Sequence, residues 1–202
     1  MVGVTPEDGF GKAEAASGVA RVIFGLFGKR PERLAPVNAL FERVAAASRQ
    51  PALYLEGGIP DTFEGRFESL TLHVFLVLRR LRELPAPADG LAQDLVDACF
   101  SYLEFGFRQS GISDIAVPKR MKKIGQMFYG RVQAYESALA SPDPAELVEA
   151  LRRNAGCGGG AGPLAAYARQ VVSALAGRDL DAILVQDALF PTLSSQESHH
   201  GA

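Results

Sequence analysis

Residues 61–84 read DTFEGRFESLTLHVFLVLRRLREL, and this stretch decides the fold. Asp61 is of a type that caps helix N-termini, and Glu64 three positions on completes a box-like D-x-x-E pattern. Phe63, Phe67, Leu70, Val74, Val77, Leu78 and Leu81 then fall on one stripe at helical pitch. Leu72, Phe75 and Leu76 cover the opposite side, so the middle of this helix is apolar all round. Such a helix has to be surrounded, and the spacing predicts a central core helix running to about Leu84.

Working outward, the same periodicity recurs. Residues 36–49 carry Val37, Leu40, Phe41 and Val44 on one side, with Pro51 as a stop. Residues 91–109 carry Leu91, Leu95, Ala98, Cys99, Tyr102 and Phe105 at helical spacing before Gly111. Pro118 suits the first turn of a helix to about Ala140, and a short helix near 145–153 follows the Ser141–Pro144 break. Two further helices are expected over 164–176 and 180–190, with Asp179 as a cap. Alternating runs bounded by hairpin dipeptides are almost absent, so the fold class is all-α: a single multi-helix domain around a long central apolar helix. Residues 12–193 form that domain, with a disordered N-terminus at 1–11 and a polar, disordered tail at 194–202. The glycine-rich run at 156–163 follows a helix and lacks a Gly-Lys-Ser/Thr ending, so it reads as a flexible linker rather than a phosphate loop.

A short N-terminal amphipathic helix is expected over 12–27. Arg21, Phe24, Phe27, Lys29 and Arg30 are its candidate membrane-docking residues. No run reaches the roughly 20 apolar residues that span a bilayer. The acidic residues Glu7, Asp8 and Glu14 argue against a transit peptide, which points to a bacterial cytoplasm, with the inner face of its membrane within reach. The chain's pI near 5.9 gives no whole-protein drive toward nucleic acid, and DNA is not an expected partner. Cys99 and Cys157 are the only cysteines, without metal-ligand spacing, and fit a reducing compartment.

The charge is local instead. Residues 117–131 read VPKRMKKIGQMFYGR, and within 117–140 five cations face one carboxylate, Glu136. Met121, Ile124, Phe128, Val132, Tyr135 and Leu139 fall on one side, and Lys119, Lys122 and Lys123 on the other. Cations in a first turn work against the helix dipole, which suggests that they serve a partner.

These segments carry a resemblance. The 117–131 stretch, the earlier LYLEGGIPDTFEGRFESL at 53–70 and the run 73–81 resemble the ubiquinol-cytochrome c chaperone family, most strongly over 51–154. The closing segments 164–167 and 180–191 are similar to its bacterial branch. The resemblance implies a chaperone or assembly factor of the cytochrome bc1 complex, respiratory complex III, without catalytic residues or cofactor. It implies cytochrome b or another bc1 subunit as client, and in mitochondrial members, which act in the matrix, a small co-chaperone near the ribosome. On it Arg66, His73, Arg79 and Arg80 from the central helix are expected around a client groove. Lys119, Arg120, Lys122, Lys123, Tyr129 and Arg131 from the basic helix are expected there too.

The residues agree on the absence of catalysis. His73 is the only histidine outside the tail, and beside a core stripe it reads as a structural, hydrogen-bonded residue, the sharper alternative being a buried polar contact to the basic helix at Tyr129. Glu64 and Glu68, one turn apart, read as a salt-bridged surface. His199 and His200 in the tail offer no fixed metal geometry. The competing reading is a peripheral lipid-, quinone- or haem-binding helical module docked on anionic membrane, with His73 or Tyr129 as a haem ligand.

Overall fold

A computed structural model describes residues 31–193, and every regular element among them is helical. The order is α1 (Pro31–Ala47), α2 (Pro51–Leu55), α3 (Phe63–Arg82), α4 (Ala88–Gln109), α5 (Val117–Ala140), α6 (Ala145–Ala155), a 3-10 turn (Gly158–Gly160), α7 (Ala161–Ala176) and α8 (Leu180–Val185). The expected segments at 1–11, 12–30 and 194–202, including Arg21, Phe24, Phe27, Lys29 and Arg30, lie outside the described residues.

Helix α3 packs against α1, α4, α5, α6 and α7, and each residue from Phe67 to Leu78 is buried. An unbroken buried run means neighbours on every side, and it is what an all-round apolar sequence requires. Four buried polar or charged groups sit in that run: Glu68, Ser69, Thr71 and His73. Burying them is costly unless each finds a partner. Helix α5 buries Val117, Ile124, Phe128, Val132, Tyr135 and Ala138, close to the predicted stripe, with Phe128 and Tyr135 at 0% exposure.

Several local expectations are corrected. The cap of α3 is Thr62, not Asp61: its hydroxyl accepts from the Gly65 N–H at 3.1 Å, and Asp61 instead pairs with Arg66 at 2.6 Å. Asp and Thr are both good caps, and the extended backbone falls at Thr62. Phe63, Tyr102 and Phe105, placed on core stripes, are 50%, 46% and 61% exposed. Helix α1 begins at Pro31 with Pro36 inside it, and α8 ends at Val185 rather than at Phe190. There Arg43 of α1 donates to the carbonyls of Ile183, Leu184 and Gln186, so the carbonyls of the α8 terminus are held by a cation.

The glycine-rich run 156–163 is not a free linker. It forms the 3-10 turn and the start of α7, with Cys157 2% exposed. Its backbone lies directly on the glycines of the 53–70 segment. A Cβ on Gly160 would stand 2.4 Å from the carbonyl of Gly57, and Gly58, at φ +67°, would put one 2.5 Å from the Cys157 carbonyl oxygen. Only glycine permits that approach and that φ, so two glycine-rich loops far apart in sequence form one joint.

Candidate functional site

The described surface carries two neighbouring grooves, one between α1 and α4 and one beside α2, which together make a trough. One groove, enclosing about 520 Å³, lies between α1 and α4 and is floored by Val37, Phe41, Ala45, Ala98 and Tyr102. A second, of about 540 Å³, is lined by Tyr54, Leu55, Ile59, Asp61 and Arg66. Arg49 lines both, so the two grooves adjoin at its side chain. Phe41 and Tyr102 meet across the first groove with ring centroids 5.4 Å apart, and Leu55 beside the second is 81% exposed. The trough thus offers apolar surface rimmed by Glu42, Asp94, Arg49 and Arg66. Sequence reasoning placed only Arg66 here. Phe41 is core as its stripe predicts, at 7% exposure, but Tyr102 was assigned to a core stripe too, because a half-exposed groove position and a core position share the same period.

Of the other expected site residues, five are engaged with neighbouring helices rather than with solvent. His73 is fully buried between α3 and α7: its Nδ1–H donates to the Ser69 carbonyl at 2.8 Å, and its Nε2 accepts from the Tyr167 hydroxyl at 2.8 Å. The contact is therefore with Tyr167 and not Tyr129. Burial holds this imidazole neutral, with its pKa down at about 4, and pushes the Tyr167 hydroxyl up. With both ring nitrogens engaged, His73 has none left for a haem iron or for a serine or cysteine nucleophile.

Arg131 is not a surface cation. Its Nε and one terminal nitrogen donate to both carboxylate oxygens of Glu68 at 2.9–3.1 Å, a bidentate pair between α5 and α3. Glu68, expected on a solvated surface, is 5% exposed; desolvation raises its carboxyl pKa and the Arg131 bonds oppose that rise. Arg79 pairs with Glu136 of α5, and Arg80 donates to the Arg178 carbonyl at 2.7 and 3.0 Å and to Glu83. Tyr129 is half-buried, its ring against Phe100 and Phe128. These contacts tie α3 to α5 and the α7 end, which leaves their side chains committed. Cys99 is core, its thiol pushed up to about 12 by burial.

Lys119, Arg120, Lys122 and Lys123 differ. All four are exposed, and none forms an ion pair among the described residues. Arg120 lies over the Phe107 ring, 5.9 Å from its centroid, and Phe107 packs on Phe63 at 5.3 Å. No group of three or more His, Cys, Asp or Glu side chains is placed to hold a metal ion among the described residues. No helix among them is long and apolar enough to cross a membrane.

Comparison with known proteins agrees with this architecture. The crystal structure of the Cbp3 homologue from Brucella abortus superposes with a TM-score of 0.71 at 33% sequence identity, covering 89% of this chain and 96% of that one. No curated protein sequence matches the chain. The family model for the ubiquinol-cytochrome C chaperone matches residues 55–190, a span that runs from the trough's exposed Leu55 through the glycine joint, the Glu68–Arg131 pair and the basic turn to Phe190. The chain belongs to the ubiquinol-cytochrome c chaperone family.

Proposed function

We propose that this chain is a non-enzymatic assembly factor that binds newly made cytochrome b through the α1–α4 trough and supports assembly of the cytochrome bc1 complex. The family match over 55–190 is the observation that carries the reading. The trough supplies a physical means. An apolar client segment laid along Phe41, Tyr102, Tyr54 and Leu55 buries surface that water otherwise covers, and Arg49 and Arg66 at the rim meet polar ends of that segment. Binding without chemistry fits the inward residues, because the buried histidine and carboxylate are consumed by structural bonds.

The reading places the protein at the cytoplasmic side of a bacterial membrane, where cytochrome b is made. Affinity capture from cells tests it. The parent should enrich cytochrome b, and Tyr102→Asp together with Leu55→Asp, both at exposed positions, should abolish enrichment with the thermal midpoint unchanged. If deletion of the gene leaves bc1 levels normal and capture never enriches cytochrome b, the reading is wrong.

A further inference from the structure

The corner where α4 passes into α5 has a composition that neither core packing nor the trough uses. Ile115 is 92% exposed, the barest large apolar side chain among the described residues. It is held there: the Ala116 and Val117 N–H groups donate to the Ser113 carbonyl at 2.8 and 3.2 Å, and the Arg120 N–H to the Ala116 carbonyl at 3.1 Å. Ile115 therefore sits in the turn that leads into α5, two residues before its first residue. Lys119 and Lys122 follow it four and seven positions on, close together on one side of the first turns of α5, with Lys123 beside them.

The charge at this corner is uncompensated. The first turn of α5 holds no acid, and the nearest carboxylates in sequence, Asp114 and Glu104, are both bonded to Arg108. Four exposed cations in a chain of net charge −2 thus make a local positive field. Phe63, half exposed, extends the apolar margin beside Phe107.

An apolar knob ringed by long cationic side chains is complementary to one kind of surface above others. In an anionic bilayer the Ile115 side chain enters the acyl boundary, while the lysine stems lie along it and their ammonium groups reach the lipid phosphates. A protein hot spot would instead use an aromatic anchor in a packed pocket, and Ile115, an aliphatic side chain, lines neither groove of the trough. Single-stranded RNA would need a row of bare rings to stack successive bases, but among the described residues Phe63 is the one half-exposed ring beside these cations and Phe107, 4% exposed, lies beneath Arg120. We infer that Ile115, Lys119, Arg120, Lys122 and Lys123 form a dock for an anionic membrane surface. The inference rests on the chaperone reading for its purpose, since a factor receiving a membrane protein gains by being held at the bilayer.

The chain contains no tryptophan, so a single introduced one reports on a single position. The experiment uses the full chain with Ile115→Trp or, as a control at another bare site, Val185→Trp. Vesicles of phosphatidylethanolamine and phosphatidylglycerol in equal parts are compared with phosphatidylcholine vesicles. The Ile115→Trp emission should shift to the blue on anionic vesicles only, reverse at high salt, and not be matched by Val185→Trp. In flotation, neutralising the cations to glutamine should weaken binding about fivefold for each one removed. Ile115→Ser should weaken it about tenfold.

No binding of the parent to anionic vesicles overturns the inference, as does binding that the glutamine and Ile115→Ser variants retain in full, which would put the dock elsewhere. A parent that ignores vesicles but loses cytochrome b on charge neutralisation would make the corner a protein-binding surface, again against the inference. Cytochrome b capture in detergent, where no bilayer competes, separates the two ideas. If capture survives there while flotation fails, the membrane dock falls and the chaperone reading stands. If flotation succeeds and capture never occurs, the reverse holds.

Discussion

The two halves of α5 use the same residue types to opposite ends. In the second half Arg131 and Glu136 reach α3, where they engage Glu68 and Arg79. In the first half Lys119, Arg120, Lys122 and Lys123 make no ion pair among the described residues. A composition count puts all five cations in one arc, but the helix divides them. Arg131 flanks the buried stripe of Ile124, Phe128, Val132 and Tyr135, while Lys119, Lys122 and Lys123 project from the far side. Position relative to the stripe, rather than charge density, decides whether a cation is structural or available.

The sharpest way to break this contrast is to remove Arg131. Glu68 would be left charged and uncompensated in a mostly dry site, so Arg131→Ala should cost about 3 to 5 kcal/mol in denaturant unfolding. Phe128→Ala, which removes a ring at 0% exposure, should cost a similar amount through the cavity it leaves. Replacing both members of the pair, Glu68→Met with Arg131→Met, should recover most of the first loss, because two apolar groups need no partner. If Arg131→Ala is as mild as a surface change, the division of α5 collapses.

Acid should find the next largest effect at His73. Its folded pKa of about 4 lies below the ordinary value of 6.5, so in that interval the unfolded chain binds a proton that the folded chain refuses. Stability should therefore fall as pH drops from about 6.5 to about 4, by about 3 kcal/mol in total, and level off below. Glu68 acts with the opposite sign, because its raised pKa favours protonation in the folded state and softens the lower end of the loss. Asn in place of His73 should lower stability at neutral pH and flatten the slope across that interval. An unchanged slope in His73→Asn would assign the acid sensitivity to other groups.

The fold was legible from the sequence because its signals are local. The helical pitch of α3, α4 and α5, the proline at the start of α5 and the cap at Asp179, whose carboxylate accepts from the Ala182 N–H at 2.8 Å, all lie within a few residues of what they determine. The site was less legible because its partners are distant. Glu68 and Arg131 are 63 positions apart, and His73 and Tyr167 are 94 apart. One signal did exist: a carboxylate and a histidine inside an all-round apolar helix require buried partners, although nothing local says which. The trough escaped for a different reason. Tyr102 keeps helical period with Leu95 and Cys99, and periodicity does not report where a neighbouring helix stops short.

The glycine joint follows the same rule, since each run of glycines looks like a flexible loop until the other is laid against it. Alanine in place of Gly160 would drive its methyl into the Gly57 carbonyl, and neither backbone can yield without moving the α2–α3 connection. The expected cost is about 1 to 3 kcal/mol by thermal or denaturant melting. Gly159→Ala, with nothing within 4 Å of its added Cβ, is the matched control and should be close to neutral. Equal effects from the two would show that the loops are not in contact.

The smallest effect on stability should come from the first half of α5. Changing Lys119, Arg120, Lys122 and Lys123 together to glutamine removes four charges that no described carboxylate pairs with, at positions open to water. It even relieves repulsion with the positive end of the helix. Only Arg120 gives up a contact, its place over Phe107, and an exposed cation–π pair contributes about 0.5 to 1 kcal/mol. The melting midpoint should thus sit within a few degrees of the parent, on whichever side the loss of that contact and the relief of repulsion leave it. Raising the salt concentration should narrow even that difference, because the repulsion being relieved is itself screened. A quadruple variant that melts as early as Arg131→Ala would mean that these cations hold the core together, and the contrast within α5 would be lost. A stable variant that no longer associates with anionic vesicles would set the two halves apart by function as well as by structure.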